Sequence, residues 1–212
     1  MKSRKTNFIM LMLSFVFCFT ACNDGAGQAS VKIGQQEWAS KNLNVATFRN
    51  GDAIPEAKTN EEWYKASMEG KPAWCYYDND PKNGVKYGKL YNWYAVKDPR
   101  GLAPRDWHVP SDKEWIKLTD YLGGVVGVGN KMKNKEGWIK NGNGSNESGF
   151  SGLPSGNRSG TFGSIGDSGA WWSSTEHNTD NAWYRDLSYS DDDIFGGDID
   201  KGCGFSVRCV KN

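Results

Sequence analysis

Ser111-Asp112-Lys113-Glu114-Trp115-Ile116-Lys117-Leu118-Thr119-Asp120-Tyr121-Leu122-Gly123-Gly124 contains a helix with both of its ends written into it. In a Ser-x-x-Glu pattern the serine side chain takes up the N–H of the glutamate, and the glutamate side chain reaches back to the serine N–H. That closes the first turn. Trp115, Leu118, Tyr121 and Leu122 then recur at helical spacing, and the glycine pair stops the run. Thr59-Asn60-Glu61-Glu62-Trp63 repeats the opening signature, with Gly70 as its stop.

Around these two helices the chain reads mostly as short strands and loops. Val31 to Trp38 alternates apolar and polar about Gly34, which predicts a hairpin or strand pair. Tyr87 to Val96 places Leu90, Tyr91, Trp93 and Tyr94 near helical spacing and predicts a short amphipathic helix. Asn141 to Gly169 is dominated by Gly, Ser and Asn, which bury too little to offset their ordering entropy, so loop with brief strands is expected. The best strand candidates are Ala170–Ser174, Ala182–Ser190 and Gly204–Val210.

The chain has 212 residues, with 26 Lys+Arg against 25 Asp+Glu. That balance excludes a nucleic-acid binder working by bulk charge, because phosphate binding needs a clear cationic excess. One domain is the default at this length.

Lys2, Arg4 and Lys5 precede an apolar run from Phe8 to Phe19, broken by Ser14 and too short to span a bilayer. Small residues follow, ending in Thr20-Ala21-Cys22. The pattern is that of a secretory signal, and its end resembles a bacterial lipobox, with Cys22 becoming the acylated N-terminus. Residues 1–21 are the expected signal peptide and residues 22–30 a flexible tether. The domain proper is expected over residues 31–212, extracytoplasmic and lipid-anchored, at the outer membrane or cell surface. It touches the membrane only through the anchor. Beyond Cys22 the cysteines are Cys75, Cys203 and Cys209, which an oxidising compartment lets form one bridge and one odd thiol.

All ten tryptophans lie beyond Cys22. Each buries a large area, so a few of them can fill a core that lacks long elements. Most are expected as core pegs, and exposed ones would be platforms for sugar rings. Trp171 and Trp172 are neighbours, and neighbours on a strand point to opposite faces, so only one is expected to face the core.

Seven stretches together resemble one family. They are Ile33-Gly34-Gln35-Gln36-Glu37-Trp38 with Lys41-Asn42-Leu43-Asn44-Val45, then Trp74-Cys75-Tyr76-Tyr77-Asp78-Asn79-Asp80 and Tyr87-Gly88-Lys89-Leu90-Tyr91-Asn92-Trp93-Tyr94-Ala95. Trp107-His108-Val109-Pro110-Ser111, Trp171-Trp172-Ser173-Ser174-Thr175-Glu176 and Gly204-Phe205-Ser206-Val207-Arg208-Cys209-Val210 complete the set. The combination resembles the Fibrobacter succinogenes major paralogous domain, from about Val31 to Asn212. The resemblance implies an α+β, C-type-lectin-like fold: two helices packed on small twisted antiparallel sheets, with long loops and paired termini. It also implies a Cys75–Cys209 disulfide, with Cys203 as the odd thiol.

Little in the chain marks catalysis. His108 and His177 are the two histidines, and neither has a second histidine or a cysteine at metal-ligand spacing such as His-x-x-x-His. No Gly-x-Ser-x-Gly elbow is present. His108 reads as a packing or loop residue. Asp78-Asn79-Asp80 before Gly84 reads as an Asx-turn, because Lys82 stands where a calcium loop needs oxygen.

The most unusual segment runs from Asp186 to Cys203, with six aspartates up to Asp200 and no Lys or Arg among them. It reads as a solvated acidic loop or as a calcium site. The resemblance adds a third thought: relatives carry asparagine-rich sequence here, and the residues found are among the products of adenine-targeted diversification of asparagine codons. The expected ligand-binding face is Trp172, His177, Trp183, Tyr189, Asp191, Asp193 and Phe195. Asp191, Asp193, Asp198 and Asp200 are reserve calcium ligands, and no other cofactor is implied. The expected function is a lipid-anchored binding or adhesion module for a glycan or a protein. The alternatives are an enzyme or enzyme-accessory domain of the sulfatase-modifying type and a structural cell-surface protein.

Overall fold

A computed structural model describes residues 28–212. The expected signal peptide, the expected lipidation site Cys22 and most of the expected tether lie outside the described residues. The architecture is α+β, with five helices and eleven strands among them.

β1 (Ser30–Ile33) and β2 (Gln36–Ala39) form the hairpin that the alternation predicts, with Val31 opposite Trp38. Gly34 makes the turn at φ 61°, a left-handed conformation that glycine adopts without steric cost. The space above it is filled by the Tyr121 ring, 2.8 Å from where a Cβ would stand. The last strand, β11 (Val210–Lys211), inserts between β2 and β5 (Trp107–His108). Both ends of the described chain are thus held in one four-stranded sheet, ordered β1-β2-β11-β5.

Both capping boxes form. Thr59 opens α1 (Asn60–Met68) and Ser111 opens α4 (Asp112–Leu122). Gly123 ends α4 in a left-handed conformation. α4 buries Trp115 and Leu118 in the core, whereas Tyr121 is 66% exposed and serves only as the lid over Gly34.

Residues 87–96 do not form one helix. β4 (Leu90–Tyr91) pairs with β3 (Trp74–Cys75), Asn92 accepts from Ala95 N, and only α3 (Trp93–Val96) is helical. Strand pairing claims Leu90 and Tyr91, and the Asn92 cap restarts the chain as a helix. Asp80 likewise caps α2 (Pro81–Tyr87) by accepting from Lys82 N, as the Asx reading expects. α5 (Val128–Met132) follows the glycines after α4.

The second sheet is built from β6 (Ser155–Ser159), β7 (Thr161–Ile165), β8 (Ser168–Glu176), β9 (Asn181–Ser188) and β10 (Ile194–Asp200), in the order β10-β9-β8-β6-β7. Residues 204–209, expected as strand, join it mainly through single bridges from Gly204 to Arg158 and from Ser206 to Trp171.

This sheet has a core on each face. Trp172 belongs to the cluster of Trp74, Tyr91, Trp93 and Phe205, and Trp171 to that of Trp38, Trp115, Met132 and Phe150. Both tryptophans are therefore fully buried, which corrects the expectation that only one faces a core. Trp171 Nε1 donates to Asn42 Oδ1 at 2.9 Å and Trp172 Nε1 to the Tyr91 carbonyl at 2.7 Å. Nine of the ten tryptophans are buried, and Trp183 is half-exposed.

The Cys75–Cys209 disulfide is not formed. Cys75, Cys203 and Cys209 are free and buried. Cys75 lies in a third cluster, with Trp63 and Tyr77, and Cys209 in the Trp172 cluster. Among the described residues no helix is long and apolar enough to cross a membrane.

Candidate functional site

The acidic segment is not a loop. The structure folds it into a long antiparallel hairpin of β9 and β10 with residues 189–193 as the tip. Phe195 lies opposite Asp186 and Gly197 opposite Tyr184 on one face, while Asp198 lies opposite Trp183 on the other. Phe195 is 59% exposed and continues a run of rings, Trp172–Phe205–Tyr184–Phe195, from the core to the surface.

The tip is acidic but not loose. Lys133 is buried, and its ammonium donates to the carbonyls of Ser188 and Asp191 and to the Asp192 carboxylate at 3.2, 2.8 and 3.0 Å. Gly129 N donates to the Asp192 carbonyl and Gly127 N to Asp193 Oδ1 at 2.7 Å. A side chain at Gly129 would put its Cβ 2.6 Å from the Asp193 carbonyl, so glycine is what lets α5 approach the tip. Asp191 accepts from Asp193 N, and Tyr189 lies under the Lys140 ammonium. A shallow cavity of about 230 Å³ beside the tip is lined by Lys133, Asn143, Tyr189 and Asp191.

At the other end, His177 meets Trp183 edge-on, with ring centres 5.1 Å apart. Its Nε2 lies 3.9 Å from Asp198, which also accepts from Asn181 Nδ2. The 176–180 turn is held from below by the buried Lys201, which donates to the Asn178 carbonyl at 2.8 Å and pairs with Glu176.

The expected contact face therefore divides. Trp172 is inaccessible in the core and drops out. His177 and Trp183 sit at one end, and Tyr189, Asp191 and Asp193 at the other, about 20 Å away along extended strand. Phe195 faces the side opposite Trp183. Asp193 and Asp198 are five residues apart on or beside one strand, about 17 Å, so the four reserve aspartates cannot surround one ion at calcium distances. Among the described residues no group of three or more His, Cys, Asp or Glu side chains is placed to hold a metal.

Asp186 is the perturbed carboxyl of the hairpin. Burial against the sheet pushes it up to about 6, against the Ser168 hydroxyl that donates to it. His108 bonds Glu114 and Asn212 at 2.7 and 2.8 Å, and Ser111 Oγ also donates to Glu114. Glutamate thus stands between serine and histidine, and the histidine is not placed to take the serine proton. Burial pushes the thiols of Cys75 and Cys209 up to about 11 and about 12, and that of Cys203 upward.

Residues 31–211 match the Fibrobacter succinogenes major domain, which is nearly all of the described chain. The chain belongs to that family. No curated protein and no solved structure matches it. In this Fibrobacter succinogenes major domain the framework stretches lie in and beside the three sheets, β3–β4 being the third, and the acidic segment is the exposed hairpin between Trp172 and Phe205.

Sequence reasoning missed the cations. Lys89 lies over the Trp74 ring, Lys133 over Trp138, Arg158 over Trp63, Lys201 over Trp93 and Arg208 over Phe150, with all five cationic side chains buried. Each also donates to main-chain carbonyls. Nothing in the local sequence distinguishes Lys133 from the neighbouring Lys131 and Lys135, because its carbonyl partners, Ser188 and Asp191, arrive from a distant segment.

Proposed function

We propose that this protein is a lipid-anchored extracytoplasmic binding module of C-type-lectin-like architecture, without catalysis of its own, and that the β9–β10 hairpin is its contact surface. The observation that carries the reading is the pairing of exposure with rigidity. Phe195, Asp191 and Asp192 reach solvent on a hairpin whose tip is clamped by buried Lys133 and whose base adjoins a turn held by buried Lys201. A preorganised surface loses little entropy on binding. Thiols held protonated and a serine without a base both support a non-catalytic reading over the sulfatase-modifying alternative.

The ligand is a glycan or a protein outside the cell. One half-exposed tryptophan is a small platform for a sugar, whereas the carboxylates suit a basic protein surface. Diversification of the hairpin predicts a near-duplicate template and a reverse transcriptase gene beside this locus, and their absence would remove that part of the reading. Binding of the full chain to arrayed glycans and surface proteins, compared with a Phe195→Ala/Asp191→Asn/Asp192→Asn variant, tests the surface. Binding unchanged by the triple substitution would move the contact face elsewhere.

A further inference from the structure

β10 has a strand on one side only. The direction of its backbone groups follows from two fixed points. Ile194 N points outward to the Val125 carbonyl, and across the sheet Trp172 N points away from β9 to the Ser206 carbonyl. Alternation then directs the N–H and C=O groups of Gly196 and Asp198 away from β9, into solvent. No hydrogen bond within residues 28–212 takes them up.

The other sheet edges are blunted. β1 has four residues and β5 has two. β7 has five, with Ser164 at φ 63° breaking its regular form. β10 has seven residues, and none of its non-glycine residues has a positive φ. Gly196 and Gly197 also leave its centre without side chains. An edge of this kind is a template for another strand.

We propose that β10 binds a basic, extended segment of a partner protein as an added antiparallel strand. This deepens the reading of the hairpin as the contact surface and rests on it. Main-chain bonds to Gly196 and Asp198 would supply affinity, and side chains on alternate positions would supply selectivity. Partner residues opposite Asp198 and Asp200 lie on one face and meet carboxylates, so lysine or arginine is favoured there. A residue opposite Phe195 lies on the other face and meets an exposed ring, so an apolar residue is favoured. The matching pattern is cation-x-cation-x-x-apolar, read along the partner. A second copy of this chain is disfavoured, because it would bring two sets of Asp191, Asp192, Asp193, Asp198 and Asp200 together.

The test uses the full chain and a capped, labelled peptide, Lys-Val-Lys-Val-Thr-Val, with a Glu-Val-Glu-Val-Thr-Val control. Fluorescence anisotropy reads binding, and amide exchange reads the edge. The expected result is salt-sensitive binding of the lysine peptide alone, with slowed exchange at the Gly196 and Asp198 amides. Asp198→Pro removes one outward N–H and is expected to weaken binding about tenfold beyond Asp198→Asn, which removes only charge. Tryptophan fluorescence confirms that each variant is folded. Equal binding of both peptides, no protection at those amides, or Asp198→Pro matching Asp198→Asn would overturn the proposal. So would a dimer formed through β10. If the peptide fails while a glycan or protein still binds in a hairpin-dependent way, strand addition is wrong and the binding-module reading stands. If hairpin-dependent binding of every ligand fails, both go.

Discussion

The ammonium of Lys133, 1% exposed, donates to the main-chain carbonyl of Asp191 at 2.8 Å. The most acidic turn of the chain is therefore ordered by a cation from beneath. Asp192, which completes the ion pair, is itself largely solvent-exposed, so the attraction is screened and most of the value lies in the carbonyls. Lys133→Met leaves the Ser188 and Asp191 carbonyls without their donor. We expect a loss of about 1–3 kcal/mol in urea unfolding and faster proteolysis at residues 188–193. Unchanged proteolysis would show that Gly127 and Gly129 hold the turn alone.

Trp172 and Trp183 separate core from surface. Trp172→Ala empties a fully buried site and is expected to cost about 3–5 kcal/mol. Trp183→Ala, at a half-exposed site, is expected to cost less than half of that. Thermal unfolding checks both, and equal costs would mean that Trp183 is also a core residue and no ligand platform.

Asp186 gives the hairpin a pH dependence of definite sign. Its folded pKa, pushed up to about 6 by burial, exceeds the ordinary carboxyl value of about 4. Between these values the folded state holds more protons than the unfolded one, so this group's contribution to stability falls as pH rises from about 4 to about 6. Asp186→Asn removes that fall and stabilises at neutral pH by about 2–3 kcal/mol at most. The difference between wild type and variant, measured across this range, isolates it from carboxylates such as Glu114, whose lowered pKa acts the other way. A difference that is flat with pH would sink the assignment.

Free, buried thiols predict slow chemistry. Cys75 and Cys209 should resist an aromatic disulfide reagent in the native state and react at the rate of unfolding, since burial keeps them protonated. The wild type should be equally stable with and without added reductant, as Cys75→Ala and Cys209→Ala must be. A reductant-sensitive wild type would restore the bridge that the family resemblance implies.

The order of the acidic segment exposes a limit of local reading. Aspartate and glycine between Asp191 and Cys203 look like solvated loop, yet pairing with β9 makes a strand of Ile194–Asp200. Residues 87–96 show the converse: helical spacing was outweighed by the pairing of Leu90 and Tyr91 with β3.

What the sequence alone determined is whatever a few neighbouring residues decide: two helix starts at Thr59 and Ser111, the stop at Gly123, the Gly34 turn, and the family framework. A capping box needs partners only three residues apart. Tertiary structure decided the rest. Only packing on both faces of one sheet buries Trp171 together with Trp172, and only distant carbonyls make core residues of Lys133, Lys201 and Arg208. The carbonyl partners of these cations lie tens of residues away in the chain, so no short window of sequence contains them.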